Sequence, residues 1–370
     1  MYLHEHTGWT HFTWDDATVL PLLGEARFAQ GELLGSMSGV GFDVKSEVEV
    51  QALSGEVVAS SRIEGVVLDA EEVRSSVSRQ LGLEGFTSAT DTRDVDGAVS
   101  VMLDATRRFA EPLSDARLFG WHNALFPAGY SGLRKIHVAR YREGPMRVVS
   151  GPIGKERVHF LAPDPDLVPL LMGEFVSWVN ECDSVEPLLK AGIAHLWYLT
   201  VHPFDDGNGR IARALTELLL ARSDGSPRRF YSMAQYILAH REGYYCALEH
   251  AQKGSSDITE WLAWFLRALQ GSIEQSKRSM GGVLGRVAFW NRLEGVPLND
   301  RQRTMLERLK GGFEGKLTAS KWAKICKVSA DTALRDINDL MDKGVLVRSK
   351  AGGRSVSYAL KDDPGERPIS

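Results

Sequence analysis

The sequence has few cysteines and no long apolar run. Its 370 residues include three cysteines, Cys182, Cys246 and Cys326, which form no CxxC pair and stand beside no histidine cluster. This pattern argues against a zinc site or a disulfide framework. It predicts that the cysteine side chains fill hydrophobic cores, which fits a protein in the reducing cytoplasm. No apolar run reaches the length of about 18 residues that a membrane span needs. The first residues also lack the basic and apolar regions of a signal peptide.

Several enzyme signatures are missing as well. The chain contains no HExxH, no GxSxG and no GxGxxG after a strand. Residues 311–316 imitate a P-loop, but the loop is one residue short and Leu317 replaces the required Ser or Thr. The formal net charge of −4 argues against a chain devoted wholly to nucleic acid. The length allows two or three domains, each with its own core.

One stretch of twelve residues combines groups that handle phosphates. Residues 202–213 read His-Pro-Phe-Asp-Asp-Gly-Asn-Gly-Arg-Ile-Ala-Arg. Apolar residues recur at helical spacing after Gly209, so we expect the glycine turn to open a helix whose free N–H groups favour an anion. Arg210 and Arg213 share one helical face and can hold the outer phosphates of a nucleotide. His202 can take up a proton near neutral pH. A lone histidine here would indicate a buried residue in a tight turn that caps a core helix. The histidine, carboxylates, glycines and arginines together favour a catalytic site.

The stretch resembles the H-P-F-x-[DE]-G-N-G-R-x-x-R signature of Fic domains, with every fixed position present. The resemblance implies a helical catalytic domain and a protein adenylyltransferase, which moves AMP from ATP onto a hydroxyl of another protein. It also implies that His202 is the general base for the attacking Ser, Thr or Tyr hydroxyl. Asp206 would bind the Mg²⁺ ion that bridges the α- and β-phosphates. Phosphoryl-type transfer relies on positioning and charge neutralisation, which agrees with these residue types.

The resemblance also assigns the nucleotide. Asn208 and the amides of Gly207 and Gly209 would cradle the α- and β-phosphates. Arg210 would contact the β-phosphate and Arg213 the γ-phosphate. Three residues further along the chain resemble the lining of the family's adenine pocket: Tyr244, Tyr245 and Gln252. Many family members have Asn at the last of these positions, so the glutamine is a departure.

A glutamate at the end of a predicted helix indicates a contact with another segment. The apolar stripe from about Lys45 to Glu64 predicts a helix that Gly65 ends. The helix dipole disfavours a carboxylate there by a few tenths to about 1 kcal/mol, so a cationic partner is expected. The segment resembles the [ST]-x-x-x-E-[GN] inhibitory motif of Fic proteins, with Ser60, Glu64 and Gly65 matching. That resemblance implies that Glu64 pairs with Arg213 and displaces the γ-phosphate. The alternative is a solvated helix end.

A β-hairpin is predicted in the middle of this helical region. Residues 146–160 alternate like two strands around a Gly-Pro-x-Gly turn. In Fic domains such a hairpin, the flap, lies beside the motif and pairs with the target segment as an added strand. Its target-binding residues would be Arg157, Val158, His159 and Phe160. An ordinary surface hairpin is the alternative.

The C-terminal part has a different charge. Between Asp300 and Leu360 there are 13 lysines and arginines against seven acids. Three helices are predicted at 301–309, 318–326 and 330–343, the last capped by Ser329 and ended by Gly344. Strands at 345–347 and 355–358 would follow as a hairpin. The pattern resembles a winged helix-turn-helix with 330–343 as recognition helix and 350–354 in the wing. DNA and protein remain equally open as its partner.

We therefore expect a mainly α-helical protein with four parts. Residues 1–110 form a helical region with the inhibitory helix, 111–272 the Fic catalytic domain with its flap, 273–299 a linker and 300–370 the winged helix. The predicted function is a cytoplasmic protein adenylyltransferase that uses ATP and Mg²⁺ and is autoinhibited by Glu64. One alternative is a DNA-binding transcriptional regulator with the Fic domain as nucleotide sensor. Another is an enzyme that removes AMP. A protein substrate is expected as partner, no membrane is expected, and a homodimer is left open.

Overall fold

The computed structural model describes residues 1–83, 93–150, 157–310, 313, 315–348 and 356–361; the side chains of residues 150, 282–284, 286–288 and 291 lie outside this description. The described chain is mainly helical, as predicted, and divides into two compact units, Met1–Gly282 and Val283–Ser370. No helix in these ranges has the length and apolar character that crossing a bilayer requires.

The first unit is built from helices. Those that begin in its described residues are α1 (Asp16–Ser38), α2 (Phe42–Ile63), α3 (Ala70–Gln80), α4 (Arg93–Arg107), α5 (Asp115–Leu125), α6 (Val168–Glu181), α7 (Pro187–Val201), α8 (Asn208–Asp224), α9 (Met233–Ala239), α10 (Arg241–Lys253) and α11 (Thr259–Arg292). Because α11 continues to Arg292, most of the predicted linker is helical. The wider division into domains stays a prediction.

Helices α7 and α8 form the centre of this unit. Helix α7 is apolar on every side and buried from Leu188 to Val201, except for the partly exposed Lys190, as expected for a helix surrounded by others. Helix α8 packs against it and buries most of its first fourteen residues. The short loop between them, residues 202–207, is the first half of the phosphate-handling stretch. Two buried helices therefore fix both ends of the predicted site.

Helix α2 ends where the sequence predicts. Glu64 is its C-cap, and Gly65 follows with φ +81°. The N–H of Val66 donates to Ser61 O at 3.0 Å, and the N–H of Gly65 donates to Arg62 O at 3.0 Å. This pair of bonds is a Schellman motif, which needs a left-handed residue that glycine adopts without strain. The chain therefore turns sharply after Glu64 and leaves its side chain at the helix end.

Two small hairpins lie between α5 and α6. Strand β3 (Arg147–Ser150) pairs antiparallel with β4 (Arg157–Leu161), with a register shift between Val148 and Val149. This confirms the strands of the predicted hairpin; its turn, residues 151–156, lies outside the described residues. The other hairpin, β1 (Tyr130–Ser131) with β2 (Arg134–Lys135), is not predicted by the sequence pattern.

The second unit has the predicted element order. Helices α12 (Asp300–Lys310), α13 (Ala319–Cys326) and α14 (Ala330–Asp342) precede β5 (Leu346–Arg348) and β6 (Tyr358–Leu360), which pair antiparallel. The Ser329 hydroxyl accepts the N–H of Thr332 and caps α14, as expected. The last strand begins three residues later than predicted, because Leu360 pairs with the buried Leu346. The wing at 350–354 lies outside the described residues.

The three cysteines are free; Cys326 packs against the core of the second unit, as expected, but the expected core position is wrong for the exposed Cys246. Cys182 and Cys326 are partly exposed, and Cys246 is exposed. Helix α10 buries the face that carries Tyr244 and Leu248, and Cys246 lies on another face.

Candidate active site

The loop between α7 and α8 has a closed, internally bonded shape. Helix α7 ends at His202, whose φ of +52° is left-handed and whose N–H donates to Tyr198 O at 2.9 Å. Helix α8 begins at Asn208 after Gly207, which has φ +79°. The Asn208 side chain accepts the N–H of Phe204 at 3.0 Å and donates to Phe204 O at 2.8 Å. In this conformation the Asn208 amide therefore shapes the loop, while the first backbone N–H groups of a helix such as α8 are free to bind an anion.

His202 is oriented as a base. Its Nδ1 lies 3.2 Å from Leu199 O, so Nδ1 carries the proton and Nε2 has the free lone pair. Gln252 donates to the same carbonyl at 3.1 Å. Burial lowers the pKa of His202, and the nearby Arg142 guanidinium lowers it further, while the bond to Leu199 and the carboxylates of Glu64 and Asp206 oppose this. The ring is therefore neutral near pH 7, as a general base must be.

The two carboxylates of the loop have different surroundings. Asp205 accepts the backbone N–H and the Nδ1 of His137, each at 3.0 Å, and so holds the segment after β2. Asp206 accepts the N–H of Gly207 at 2.6 Å and the hydroxyl of Ser131. Only Asp206 lies beside the glycine turn.

The donor set fits a magnesium–nucleotide site. Mg²⁺ commonly binds one or two carboxylates together with phosphate oxygens and water, and Asp206 supplies one such carboxylate. In the described part of the chain no group of three His, Cys, Asp or Glu side chains could hold a metal by itself. A metal here would thus depend on the oxygens of a bound nucleotide.

Arg213 joins the loop helix to α2. Its side chain is 2% exposed. Its Nε donates to Ser60 Oγ at 2.8 Å, and its Nη2 donates to Ser60 O at 2.9 Å and to Glu64 Oε1 at 2.8 Å. The expected cationic partner of Glu64 is confirmed. Arg213 Nη1 and Arg210 Nε are buried without a hydrogen-bond partner among the described residues, and the Arg210 guanidinium lies 4.8 Å from the Phe126 ring centre. Buried donors left unpaired in this way are suited to an anionic ligand.

Glu64 lies against the start of α8. A Cβ at Gly209 would collide with the Glu64 carboxylate and come within 3.3 Å of Arg213 Nη1. Only glycine allows this approach. The Glu64 carboxylate therefore occupies the anion-favouring end of α8, next to both arginines.

The predicted adenine residues separate into two groups. Tyr244 is buried, and its hydroxyl lies 2.9 Å from His195 Nε2. Gln252 is buried as well and bonded to Leu199 O. Tyr245 remains partly exposed, with the Arg241 guanidinium 5.4 Å from its ring centre. In this conformation Tyr245 is the most exposed of the three, while the Tyr244 hydroxyl and the Gln252 Nε2 already have partners.

The flap strand β4 is held at both faces. Phe160 is buried and makes edge contacts with the rings of Tyr2 and His4 at 5.3 and 5.6 Å. His159 Nδ1 lies 2.7 Å from Glu249 Oε2, and Arg157 Nη2 lies 3.5 Å from Glu249 Oε1. Val158 is exposed. The strand is thus fixed to α10 and to the N-terminal segment.

Beneath Arg213 lies a second layer of buried ionisable side chains. Glu56, on the same helix as Ser60 and Glu64, accepts the Ser232 hydroxyl at 2.7 Å and the N–H of Ala234 at 2.8 Å. Burial raises the pKa of Glu56 to about 8, and the neighbouring Glu217 carboxylate adds to this. Glu217 itself pairs with the buried Arg229 at 2.7 Å.

Two residues that contact the loop were not predicted from the sequence. His122 is fully buried, stacks on Phe204 with ring centres 4.2 Å apart, and lies 3.2 Å from Asp206 O through Nε2. Burial lowers its pKa to about 4. Arg142 is buried and donates to His202 O at 2.9 Å. Neither stands in a motif, and both reach the loop from distant segments, so no local signal could have marked them.

Two family models match the chain. Residues 112–220 match the Fic/DOC family, and residues 2–83 match the domain of unknown function DUF4172. The loop at 202–213 lies in the first match and Glu64 in the second. The contact between Arg213 and Glu64 therefore joins the two matched regions.

The chain is similar to curated proteins whose names state an activity. Protein adenylyltransferase fic-1 of Caenorhabditis briggsae is 30% identical over 147 residues, which is 38% of this chain and 27% of that protein. Protein adenylyltransferase Fic of Culex quinquefasciatus is 30% identical over 140 residues, 34% of this chain and 27% of that protein. The chain spans between 22% and 36% of the length of the first curated relatives it matches.

Solved structures share the fold. A Fic family protein from Desulfovibrio desulfuricans G20 has a TM-score of 0.54 at 22% identity, covering 95% of this chain and 97% of that chain. A Fic domain containing signaling protein from Bacteroides thetaiotaomicron VPI-5482 has a TM-score of 0.50 at 19% identity, covering 71% and 98%. At these identities the likeness establishes the fold alone. The likeness agrees with the match of residues 112–220 to the Fic/DOC family model.

Proposed function

We propose that the protein is an adenylyltransferase that transfers AMP from ATP to a Ser, Thr or Tyr hydroxyl of a target protein. The observation that carries this proposal is the pairing of a neutral histidine base with an anion site on one loop. His202 has Nε2 free, while the start of α8, Arg210 and Arg213 surround a position that a carboxylate now fills. The names of the curated relatives support the same reaction.

In the proposed reaction His202 accepts one proton. The target hydroxyl oxygen attacks the α-phosphorus of ATP, its proton passes to His202 Nε2, and the bond from the α-phosphorus to the bridging oxygen breaks, so that pyrophosphate leaves. A base with a neutral ring near pH 7 suits this step. The lowered pKa of His202, caused first by burial, keeps that form available.

The phosphates would bind at the start of α8. The amides of Gly207 and Gly209, the loop held by Asn208, and the two arginines would hold the α-, β- and γ-phosphates as the resemblance implies. Asp206 would hold Mg²⁺, which neutralises phosphate charge when bound. Tyr245 would stack on the adenine, with Tyr244 and Gln252 supporting the pocket from behind.

Glu64 would act as an intramolecular brake. Its carboxylate takes the place against Gly209 and on Arg213 that a γ-phosphate requires. While this contact holds, ATP would bind without a productive γ-phosphate position. Release of α2 from Arg213 would permit transfer.

The target would lie along the flap. An extended segment can add to a hairpin edge through backbone bonds, which needs little sequence specificity. Arg157, Val158, His159 and Phe160 belong to strand β4, and of these Arg157 and Val158 are exposed.

The test is transfer of label from ATP that is radioactive at the α-phosphate. We expect Glu64→Gly protein to label itself or a lysate protein. Adding His202→Ala should lower the rate by about 10²–10⁴-fold, as loss of a general base does, while ATP affinity stays nearly unchanged. Equal loss of ATP affinity and transfer would show that His202 is structural, and no labelling by folded, ATP-binding Glu64→Gly protein would reject the proposed reaction.

The second unit supports a narrower proposal, a winged helix. Helices α13 and α14 followed by the β5–β6 hairpin have the element order of that motif. Within α14, however, Asp331 and Asp342 are exposed alongside Arg335, so the helix expected to read bases carries little positive charge. This favours a protein partner over DNA. Binding of labelled duplex DNA that weakens steeply with salt, and is unchanged by His202→Ala, would support the regulator instead.

The remaining expectations stay predictions. AMP removal would use the same site, with Glu64 positioning a water, and would be measured as loss of label from a modified target. Cytoplasmic location and a homodimer rest on the sequence alone.

A further inference from the structure

The base of the proposed reaction has an unfavourable backbone. His202 is one of three non-glycine residues with positive φ in the described chain, and such a conformation persists only where surrounding contacts impose it. Its N–H is bonded to Tyr198 O as the cap of α7. Its ring is bonded to Leu199 O. Both contacts lie within its own helix, so a partner from outside must fix the direction in which the chain leaves.

That outside partner is Arg142. Its Nε donates to His202 O at 2.9 Å, and its backbone N–H donates to Pro203 O at 2.9 Å. Its Nη2 lies 3.4 Å from Val201 O. One residue therefore binds three successive carbonyls around the left-handed position.

The same guanidinium holds both ends of the flap. Its Nη1 donates to Gly144 O at 2.9 Å, just before β3, and its Nη2 donates to Pro163 O at 2.6 Å, just after β4. Met146 O accepts the N–H of Ala162 at 3.0 Å and closes the base of the hairpin. Arg142 thus connects the proposed base directly to the strands that would present the target.

Among the described residues, the hydrogen bonds of the Arg142 side chain all go to backbone carbonyls. Arg142 is buried, and the carboxylates of Asp164 and Asp205 act on it through longer-range attraction, without a salt bridge among the described residues. Burial accordingly lowers the pKa of Arg142. A buried cation without an ion-pair partner is costly, so simple charge pairing does not explain it. The planar guanidinium with its fixed N–H donors explains why arginine is present, because a lysine ammonium cannot reach four carbonyls in those directions.

We propose that Arg142 is a positioning residue for the reaction: it holds His202 in its left-handed conformation and sets the distance between that base and the flap. The proposal rests on the proposed function, since it assigns His202 the proton. It concerns geometry at the moment of transfer, where a displacement of about 1 Å can cost about a hundredfold in rate.

Arg222 offers a matched control. Its guanidinium is also bonded to backbone carbonyls, those of Phe109 at 2.8 Å, Glu111 at 2.9 Å and Val179 at 3.3 Å. Burial lowers its pKa too. It lies fourteen residues beyond the start of α8, which is roughly 20 Å along the helix. Arg222 is therefore remote from His202.

The test compares Arg142→Lys with Arg222→Lys, each in the active Glu64→Gly protein. Single-turnover AMP transfer and ATP affinity are measured separately. We expect Arg142→Lys to lower the transfer rate about 10- to 100-fold with ATP affinity within about twofold. Arg222→Lys should change neither by more than about twofold, even if both variants melt earlier. Parallel losses in the two variants, or equal losses of rate and affinity, would overturn the proposal. Arg142→Gln replaces Arg142→Lys if the lysine variant does not fold.

A second measurement is independent of AMP transfer. The ring ¹⁵N shifts of His202, assigned by their loss in His202→Ala, should show an Nδ1–H tautomer in the wild-type protein. Arg142→Lys should mix the tautomers, and Arg222→Lys should not. An unchanged tautomer in Arg142→Lys, or a wild-type Nε2–H ring, rejects the positioning role whether or not the protein transfers AMP. Conversely, a changed tautomer in a protein without transfer would reject the proposed function alone.

Discussion

Two arginine–carboxylate pairs in this chain, one in each unit, are built differently. In the second unit Arg301 holds Asp336 with two bonds, at 2.8 and 2.9 Å, and Asn299 adds a third at 2.9 Å. In the first unit Arg213 holds Glu64 by one bond from Nη2 and keeps Nη1 without a partner among the described residues. The first pair is saturated, and the second is incomplete.

Exposure is also distributed differently. The Asp336 side chain is 6% exposed and the Glu64 side chain 32%. Burial alone would raise the pKa of Asp336, but the bonds from Arg301 and Asn299 lower it below its ordinary value. A saturated, buried carboxylate holds two helices together. A partly exposed carboxylate on an arginine that keeps one N–H donor unpaired can be replaced by another anion. A brake requires this exchange.

Of the changes that separate the two pairs, the largest effect is expected on the incomplete pair. Glu64→Gly should raise AMP transfer about tenfold to a hundredfold, because a charge-assisted Arg–carboxylate bond of roughly 1.5–3 kcal/mol no longer competes with the γ-phosphate. Labelled AMP incorporation measures this. Arg213→Ala breaks the same pair but also removes a phosphate contact, so neither it nor the double variant should be activated. Activation by Arg213→Ala would indicate general loosening, and an unchanged rate in folded, ATP-binding Glu64→Gly protein would exclude the brake.

The saturated pair should respond in stability alone. Asp336→Ala removes the acceptor of Arg301 and Asn299 and should lower the melting temperature of the second unit by about 5 °C. Transfer by the Glu64→Gly protein should be unaffected. Calorimetry and AMP incorporation on the same samples check both statements. A change in transfer rate without a change in melting would show that this pair, too, has a regulatory role.

A third prediction concerns the buried charge next to the incomplete pair. Glu56 faces the charges of Glu217 and Arg213, and its pKa is raised from 4.5 to about 8. Between these values the folded protein holds a proton that the unfolded chain releases, so the stability due to Glu56 falls as pH rises to about 8 and then levels off. Glu56→Gln should therefore gain stability relative to wild type between pH 6 and pH 9. Thermal melts at both pH values test this, with the exposed Glu71→Gln as control; equal shifts in both variants would contradict it.

The smallest effect should follow removal of the saturated pair altogether. A Glu64→Gly chain ended after Arg292 lacks the second unit from α12 onward but retains the loop, the flap and Tyr245. Because compact units with their own cores generally fold alone, we expect transfer within about twofold of the full chain. If the shortened protein folds and binds ATP but is inactive, the second unit belongs to the catalytic apparatus.

Much of the site could be read locally. The positions of α7, α2 and α14 follow from apolar spacing, and their ends follow from Gly65, Gly344 and the Ser329 cap. The loop motif placed His202, Asp206 and the arginines together because they are neighbours in sequence. The C-terminal position of Glu64 also indicated that it needs a cation.

The roles of several side chains could not be read in this way. Asn208 stays a predicted phosphate residue, and only the fold shows that both ends of its amide bond to Phe204 in this conformation. Tyr244 and Gln252 stay predicted adenine residues, and only the fold shows that the Tyr244 hydroxyl meets His195 and that the Gln252 Nε2 meets Leu199 O. An amphipathic stripe shows that a residue is on a helix face, but it does not show which partner that face will meet.

The sequence by itself determined which groups lie together: a histidine, two carboxylates and two arginines at a helix start, held within twelve residues by local backbone rules. Only the tertiary structure decided which groups act on them. Arg213 meets Glu64 across 149 positions of the chain, and Arg142 reaches His202 across 60. Local spacing fixes helices and turns because their hydrogen bonds are short-range in sequence. Pairs brought together by packing depend on the whole fold, so they appear only once the helices are assembled.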